Sequence, residues 1–100
     1  MKLALLTAAI EDLADGRDFY EQQGEGLGDY FQDSLFSDIN SLKLYGGIHR
    51  SVHGFHRLLS KRFPYAIYYL VHGEDRVVVY RVLDCRQNPR RISDALKPGD

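Results

Sequence analysis

Residues 65 to 83, YAIYYLVHGEDRVVVYRVL, constrain the fold more than any other stretch of the chain. Tyr65, Ile67, Tyr69 and Val71 alternate with Ala66, Tyr68 and Leu70, and a valine run follows the turn HGEDR. A period of two in β-branched and aromatic residues on both sides of a glycine turn predicts a β-hairpin. Arg81 interrupts the second arm, and an arginine in an apolar strand is retained only where it finds a partner. The valines and alternate tyrosines are expected to face a covering layer, with Arg81 turned to the uncovered side.

The covering layer is written upstream. Lys2 to Leu6 suits an opening strand, with Thr7 as N-cap of a first helix whose stripe is Ile10, Leu13, Ala14 and Tyr20. Gly16 weakens that helix without forbidding it. GEGLG, Gly24 to Gly28, is a tight turn; it lacks the preceding strand and the Lys-Ser/Thr of a phosphate loop. Leu27, Tyr30, Phe31, Leu35, Ile39 and Leu42 then predict a second helix over 27–44, stopped by Gly46-Gly47. So short a turn joins the two helices as an antiparallel hairpin. From His56 to Phe63 the period is again two, and Pro64 marks a strand boundary. The order is β-α-α-β-β-β: an α+β fold with an N-terminal strand and a helical hairpin packed on one face of a curved, mainly antiparallel sheet, the other face open. A single domain is expected over residues 1–92, and the stretch from Asn88 onward, with 93–100 as a flexible tail, is expected to be loose.

Composition narrows the function classes. The chain of 100 residues is 44% hydrophobic and 27% charged, ordinary values for a globular domain. No apolar run reaches the roughly 20 residues of a membrane helix and no cleavable signal pattern is present, so a cytoplasmic protein without a membrane partner is expected. Its one cysteine, Cys85, excludes an internal disulfide and is expected to be a buried small hydrophobe. The net charge of −1 conceals an asymmetry: residues 1–49 carry three bases against nine acids, and residues 50–91 carry nine bases against three acids. Either the halves form faces of opposite sign, or they pair across the fold and cancel.

The residues that could carry chemistry lie in the basic half. Arg57, Lys61 and Arg62 before the hairpin, with Arg81 and Arg86 on its last strand, can converge on one sheet face, since neighbouring strands lie about 4.8 Å apart. Guanidinium forks beside tyrosines suit phosphate or nucleic acid; a merely solvated face is the alternative. His49, His53 and His56 have the offsets of a helical metal site, but Gly46, Gly47 and Gly54 oppose a helix there, so no metal or cofactor is expected. Asp84 next to Arg86 reads as an ion pair or a lone general base.

Three segments together, FYEQQGEGLGDYF, KRFPYAIYY and VVVYRVLDCRQNP, resemble the RelE/ParE toxins of type II toxin–antitoxin systems from about Leu3 to Ile92. The resemblance implies a cognate antitoxin that wraps the toxin, with operator DNA reached only through the antitoxin. In the RelE-like branch, which cleaves messenger RNA on the ribosome, it places Ala66 at a strand arginine and Ile92 at a C-terminal tyrosine; Arg86 matches a retained arginine. The resemblance is closer to the ParE-like branch, which poisons DNA gyrase by binding. Here too the chain departs, with Asp84 where many relatives carry histidine. The expected function is therefore a growth-inhibiting toxin that binds its target through Arg57, Lys61, Arg62, Arg81 and Arg86, with Arg50, Arg57 and Arg62 as antitoxin contacts. The alternatives are a ribosome-dependent mRNA endonuclease using Arg57, Lys61, Arg81 and Arg86, and a decayed, non-toxic relative.

Overall fold

The computed structural model describes residues 1–97. In chain order it contains β1 (Lys2–Leu5), α1 (Thr7–Gln23), α2 (Leu27–Asn40), α3 (Leu42–Tyr45), β2 (Ser51–Val52), β3 (Phe55–Leu59), β4 (Tyr65–His72), β5 (Arg76–Asp84) and α4 (Pro89–Ala95). The five strands form one sheet in the order β1-β5-β4-β3-β2. Every pairing is antiparallel except β1 with β5.

The hairpin of β4 and β5 is the centre of the fold, as its period predicts. Tyr65, Ile67 and Tyr69 face α1 and α2 together with Val77, Val79 and Val82. The ladder slips at Tyr68/Tyr69, where Tyr68 lies opposite Arg81 and Tyr69 opposite Val79. Tyr80 is the extra residue, and this bulge lets both Val79 and Val82 reach the same core.

The stripe on α1 is Ala9, Leu13, Gly16 and Tyr20, so Ile10 and Ala14 fall outside the core, one position off the expected face. Thr7 is the first helical residue, with Leu6 at the N-cap and no capping side chain. Gly16 is required by packing: a Cβ there would stand 2.5 Å from Phe31 Cζ. On α2 the buried residues include Phe31, Leu35 and Ile39, as predicted, while Leu27 and Tyr30 are exposed. The expected helix over 27–44 is divided at Ser41, whose hydroxyl donates to the Asp38 carbonyl at 2.6 Å before α3 begins. Tyr20, Phe31, Phe63 and Tyr65 form an aromatic cluster with ring centroids 4.8–6.3 Å apart.

Two further expectations are corrected. The first strand before the hairpin ends at Leu59, because the buried Asp38 carboxylate takes the Ser60 hydroxyl at 2.7 Å and the Lys61 N–H at 3.3 Å and turns the chain toward α2. The stretch after Asn88 is not loose through residue 97. Asn88 caps the Arg90 N–H at 2.9 Å, Pro89 occupies the first turn, and Ile92, Ala95 and Leu96 pack on Ala66, Tyr68 and Leu83. The second sheet face is thus half covered. The last three residues of the expected tail lie outside the described residues.

Candidate functional site

Of the five cations expected to converge on the sheet, Arg57 and Arg81 share one cross-strand row on either side of Tyr68, while Lys61, Arg62 and Arg86 lie outside it. Arg57 lies on β3 opposite Tyr68, on the face that α4 partly covers. Burial raises the pKa of the Tyr68 hydroxyl, and Arg57 beside it acts in the opposite sense. Arg81 is committed to Asp12 of α1: its Nε donates to Asp12 Oδ2 at 2.7 Å and its Nη2 to Oδ1 at 2.9 Å, while Nη1 reaches the Ala95 carbonyl at 3.4 Å. Asp12 also accepts the Val82 N–H at 2.9 Å. The reason lies in strand length. β1 ends its pairing at Leu5 opposite Val79, so β5 is an edge beyond that point, and one carboxylate satisfies both the edge amide and the guanidinium.

Arg86 folds back on Asp84, with Nε and Nη2 at 3.0 and 2.8 Å, and its Nη2 also meets the Tyr20 hydroxyl at 3.3 Å. The hydrogen bond from Arg86 holds the Asp84 carboxyl below its ordinary pKa. Asp84 is therefore an ion-pair partner. Lys61 and Arg62 sit in the bend after β3, with the Arg62 guanidinium 6.0 Å from the centre of the Tyr30 ring on α2. Arg50 is exposed, and its carbonyl accepts the Arg57 N–H at 2.9 Å.

Cys85 is exposed, against expectation, because it lies in the turn after β5 and not on the strand. Nearby protein desolvates the thiol and raises its pKa, so the thiolate is not favoured. His49 and His56 are brought together, but around Tyr69: Tyr69 accepts the Gly47 N–H at 3.0 Å and hydrogen-bonds His49 Nδ1, while His56 Nδ1 donates to the His49 carbonyl at 2.7 Å. His53 stands apart in the β2–β3 turn with a φ of 55°. Among the described residues no group of three or more His, Cys, Asp and Glu is placed to hold a metal ion.

A second region is apolar. β1 is an outer strand of the sheet. Lys2 N–H and Leu6 N–H point inward to the Asp75 and Val79 carbonyls, so by strand alternation the amides of Leu3 and Leu5 point outward. Beside this edge runs a groove of about 500 Å³ lined by Leu3, Leu5, Phe36 and Ile39, with Asp33, Ser37 and Asn40 also on its wall. A smaller concavity of about 160 Å³ continues across Phe36 to Ile10, Leu13 and Ala14. An open strand edge next to apolar pockets can accept an added strand or an amphipathic helix. Sequence periodicity assigned Ile10 and Ala14 to the core; their exposure is the signal of the groove.

A family model described as the ParE toxin of type II toxin-antitoxin system, parDE, matches residues 3–89. A solved structure described as the chromosomal ParDE TA system from P. aeruginosa has a TM-score of 0.73 at 22% sequence identity. That match covers 82% of this chain and 92% of the other. No curated protein matches the sequence.

Proposed function

We propose that this chain, which belongs to the ParE toxin family of type II toxin–antitoxin systems, inhibits growth in the cytoplasm by binding a cellular target, DNA gyrase foremost, and is neutralised by an antitoxin seated along β1. The observation that carries the binding reading is the internal commitment of the arginines. Arg81 is tied to Asp12 and Arg86 to Asp84, which leaves Arg57 beside Tyr68 on the partly covered face. Attack by a ribose 2′-hydroxyl needs a proton acceptor as well as charge stabilisation. Asp84 is already neutralised by Arg86, so the geometry favours occupancy of a target over cleavage. Lys61 and Arg62 form a separate cationic shoulder available to the target. The antitoxin half of the reading is supported by the outward amides of Leu3 and Leu5 and the groove past Phe36.

The test is induced expression with and without the neighbouring gene, scoring growth, chromosome breakage and transcript integrity, followed by a gyrase supercoiling assay with purified protein. Growth arrest with inhibited gyrase and intact transcripts is expected, relieved by the neighbour. Arrest with transcripts cut on the ribosome would replace this reading by an endonuclease, and no arrest would mark a non-toxic relative.

A further inference from the structure

The most exposed large apolar side chains among the described residues are Leu44 at 81% and Ile48 at 72%. They cluster with Tyr45 and Met1: the terminal amine donates to the Lys43 carbonyl at 3.0 Å, Ile48 N–H to the Tyr45 carbonyl at 3.3 Å, and a Cβ on Gly46 would lie 3.0 Å from Met1 Sδ. The base of this knob is fixed. Leu42 is fully buried, Gly46 is pressed against Val77, and Gly47 N–H is held by the Tyr69 hydroxyl. An apolar surface presented on a rigid base needs little ordering on binding.

Its own segment carries only positive charge. Residues 41–50 contain Lys43 and Arg50 and no acid, and Lys2 lies alongside together with Asp75 of the β4–β5 turn, whose carbonyl accepts the Lys2 N–H at 2.6 Å. Lys2, Lys43 and Arg50 take part in none of the ion pairs among the described residues. Its place is also specific: Met1 precedes β1, so a strand added to the outer edge of β1 runs off one end directly beside Met1 and Leu44.

We infer that the knob of Met1, Leu44, Tyr45 and Ile48 is a second anchor for the antitoxin, taking a stretch of that partner in which bulky apolar side chains alternate with acids. This rests on the proposed seating of the antitoxin along β1 and adds the chemistry of its far end. Apolar side chains cover the knob while carboxylates meet Lys2 and Lys43.

The experiment uses the purified complex with the protein of the neighbouring gene, measuring hydrogen exchange over residues 42–50 and dissociation rates for three variants. Leu44→Ser/Ile48→Ser changes two exposed residues, so its thermal midpoint should match the parent, and it should dissociate about ten-fold faster or more. Lys43→Glu should weaken the complex most at low salt. Phe36→Ser reports on the groove independently. Protection of 42–50 with faster release of the double variant supports the anchor, whatever Phe36→Ser does. Faster release of Phe36→Ser with an unchanged double variant overturns the anchor and leaves the groove reading standing. Absence of any complex overturns both, and protection of 42–50 by anionic phosphatidylglycerol vesicles but not by the partner assigns the knob to a lipid surface and overturns the anchor.

Discussion

Replacing Asp12 by alanine should cost far more stability than an acid on a helix surface normally does. Three hydrogen bonds end on this carboxylate, from Arg81 Nε, Arg81 Nη2 and the Val82 amide. Val82 is 1% exposed, and leaving its buried N–H without an acceptor costs about 1–3 kcal/mol, toward the lower end where water from the cavity lined by Asp12, Arg81 and Val82 reaches it. Arg81 would also lose its counter-charge at a side chain 29% exposed. Removing one partner of a fully buried pair costs about 3–5 kcal/mol, a figure to be discounted here for the remaining solvent contact. Together about 3 kcal/mol is expected, a large share of the roughly 5–15 kcal/mol that holds such a domain together. With a urea slope of about 1 kcal/mol/M, the midpoint should fall by about 3 M at unchanged slope. Asp12→Asn keeps an acceptor for Val82 and loses the charge, so it should fall between. Adding Arg81→Met to Asp12→Ala should recover part of the loss, since no unpaired guanidinium remains. Asp12→Ala within about 0.5 kcal/mol of the parent would refute the clamp, because surface changes are usually that small. So would an Arg81→Met variant that keeps its midpoint and loses all toxicity, which would make Arg81 a target contact.

Two further outcomes follow from the interior. Gly16→Ala should destabilise by about 1–3 kcal/mol although alanine is the better helix former by about 1 kcal/mol, because the new methyl meets the Phe31 ring; a raised melting temperature would show that α1 and α2 can separate at no cost. Burial, and secondarily the charge of His56, lowers the pKa of His49, so the fold favours the neutral ring. That stability is fully present above the ordinary histidine value of about 6.5 and is lost as pH falls from there through the folded value. Melting curves from pH 7.5 to 5.5 should drop more steeply for the parent than for His49→Asn, and parallel profiles would show that the Tyr69 contact is indifferent to protonation.

The hairpin, the helical pair and most core positions were legible because each rests on local periodicity. Tyr65, Ile67 and Tyr69 turn to the helices as a period of two requires, and Phe31, Leu35 and Ile39 as a period of 3.6 requires. The helix after Asn88 carried its own signals in Asn88-Pro89 and the spacing of Ile92, Ala95 and Leu96, but prolines and terminal position outweighed them. The arginine partners were hidden for a different reason. Asp12 and Arg81 are 69 residues apart, and they meet only because β1 is too short to cover the end of β5. No pattern in either segment encodes the length mismatch between two strands that pair across the whole chain.

The charge asymmetry read from the sequence survives this folding, and that has a consequence for partners. Of the four ion pairs among the described residues, Arg17–Asp29 joins two members of the acidic half, Arg86–Asp84 two members of the basic half, and Lys97–Asp94 lies within the C-terminal segment. Arg81–Asp12 alone crosses between the halves. Cancellation by cross-pairing is therefore a minor effect, and exposed Arg50, Lys61, Arg62, Arg90 and Arg91 take part in none of the ion pairs among the described residues. A field of this kind steers encounter and fades with salt over a Debye length of about 10 Å at 0.1 M. The apolar groove at Leu3, Leu5 and Phe36 sits largely among residues of the acidic half, whereas the knob at Leu44 and Ile48 is bordered by Lys2 and Lys43. A partner that engages both must offer apolar contacts to each and acids to the second, so its salt dependence should arise at the knob while both sites contribute to its heat-capacity change.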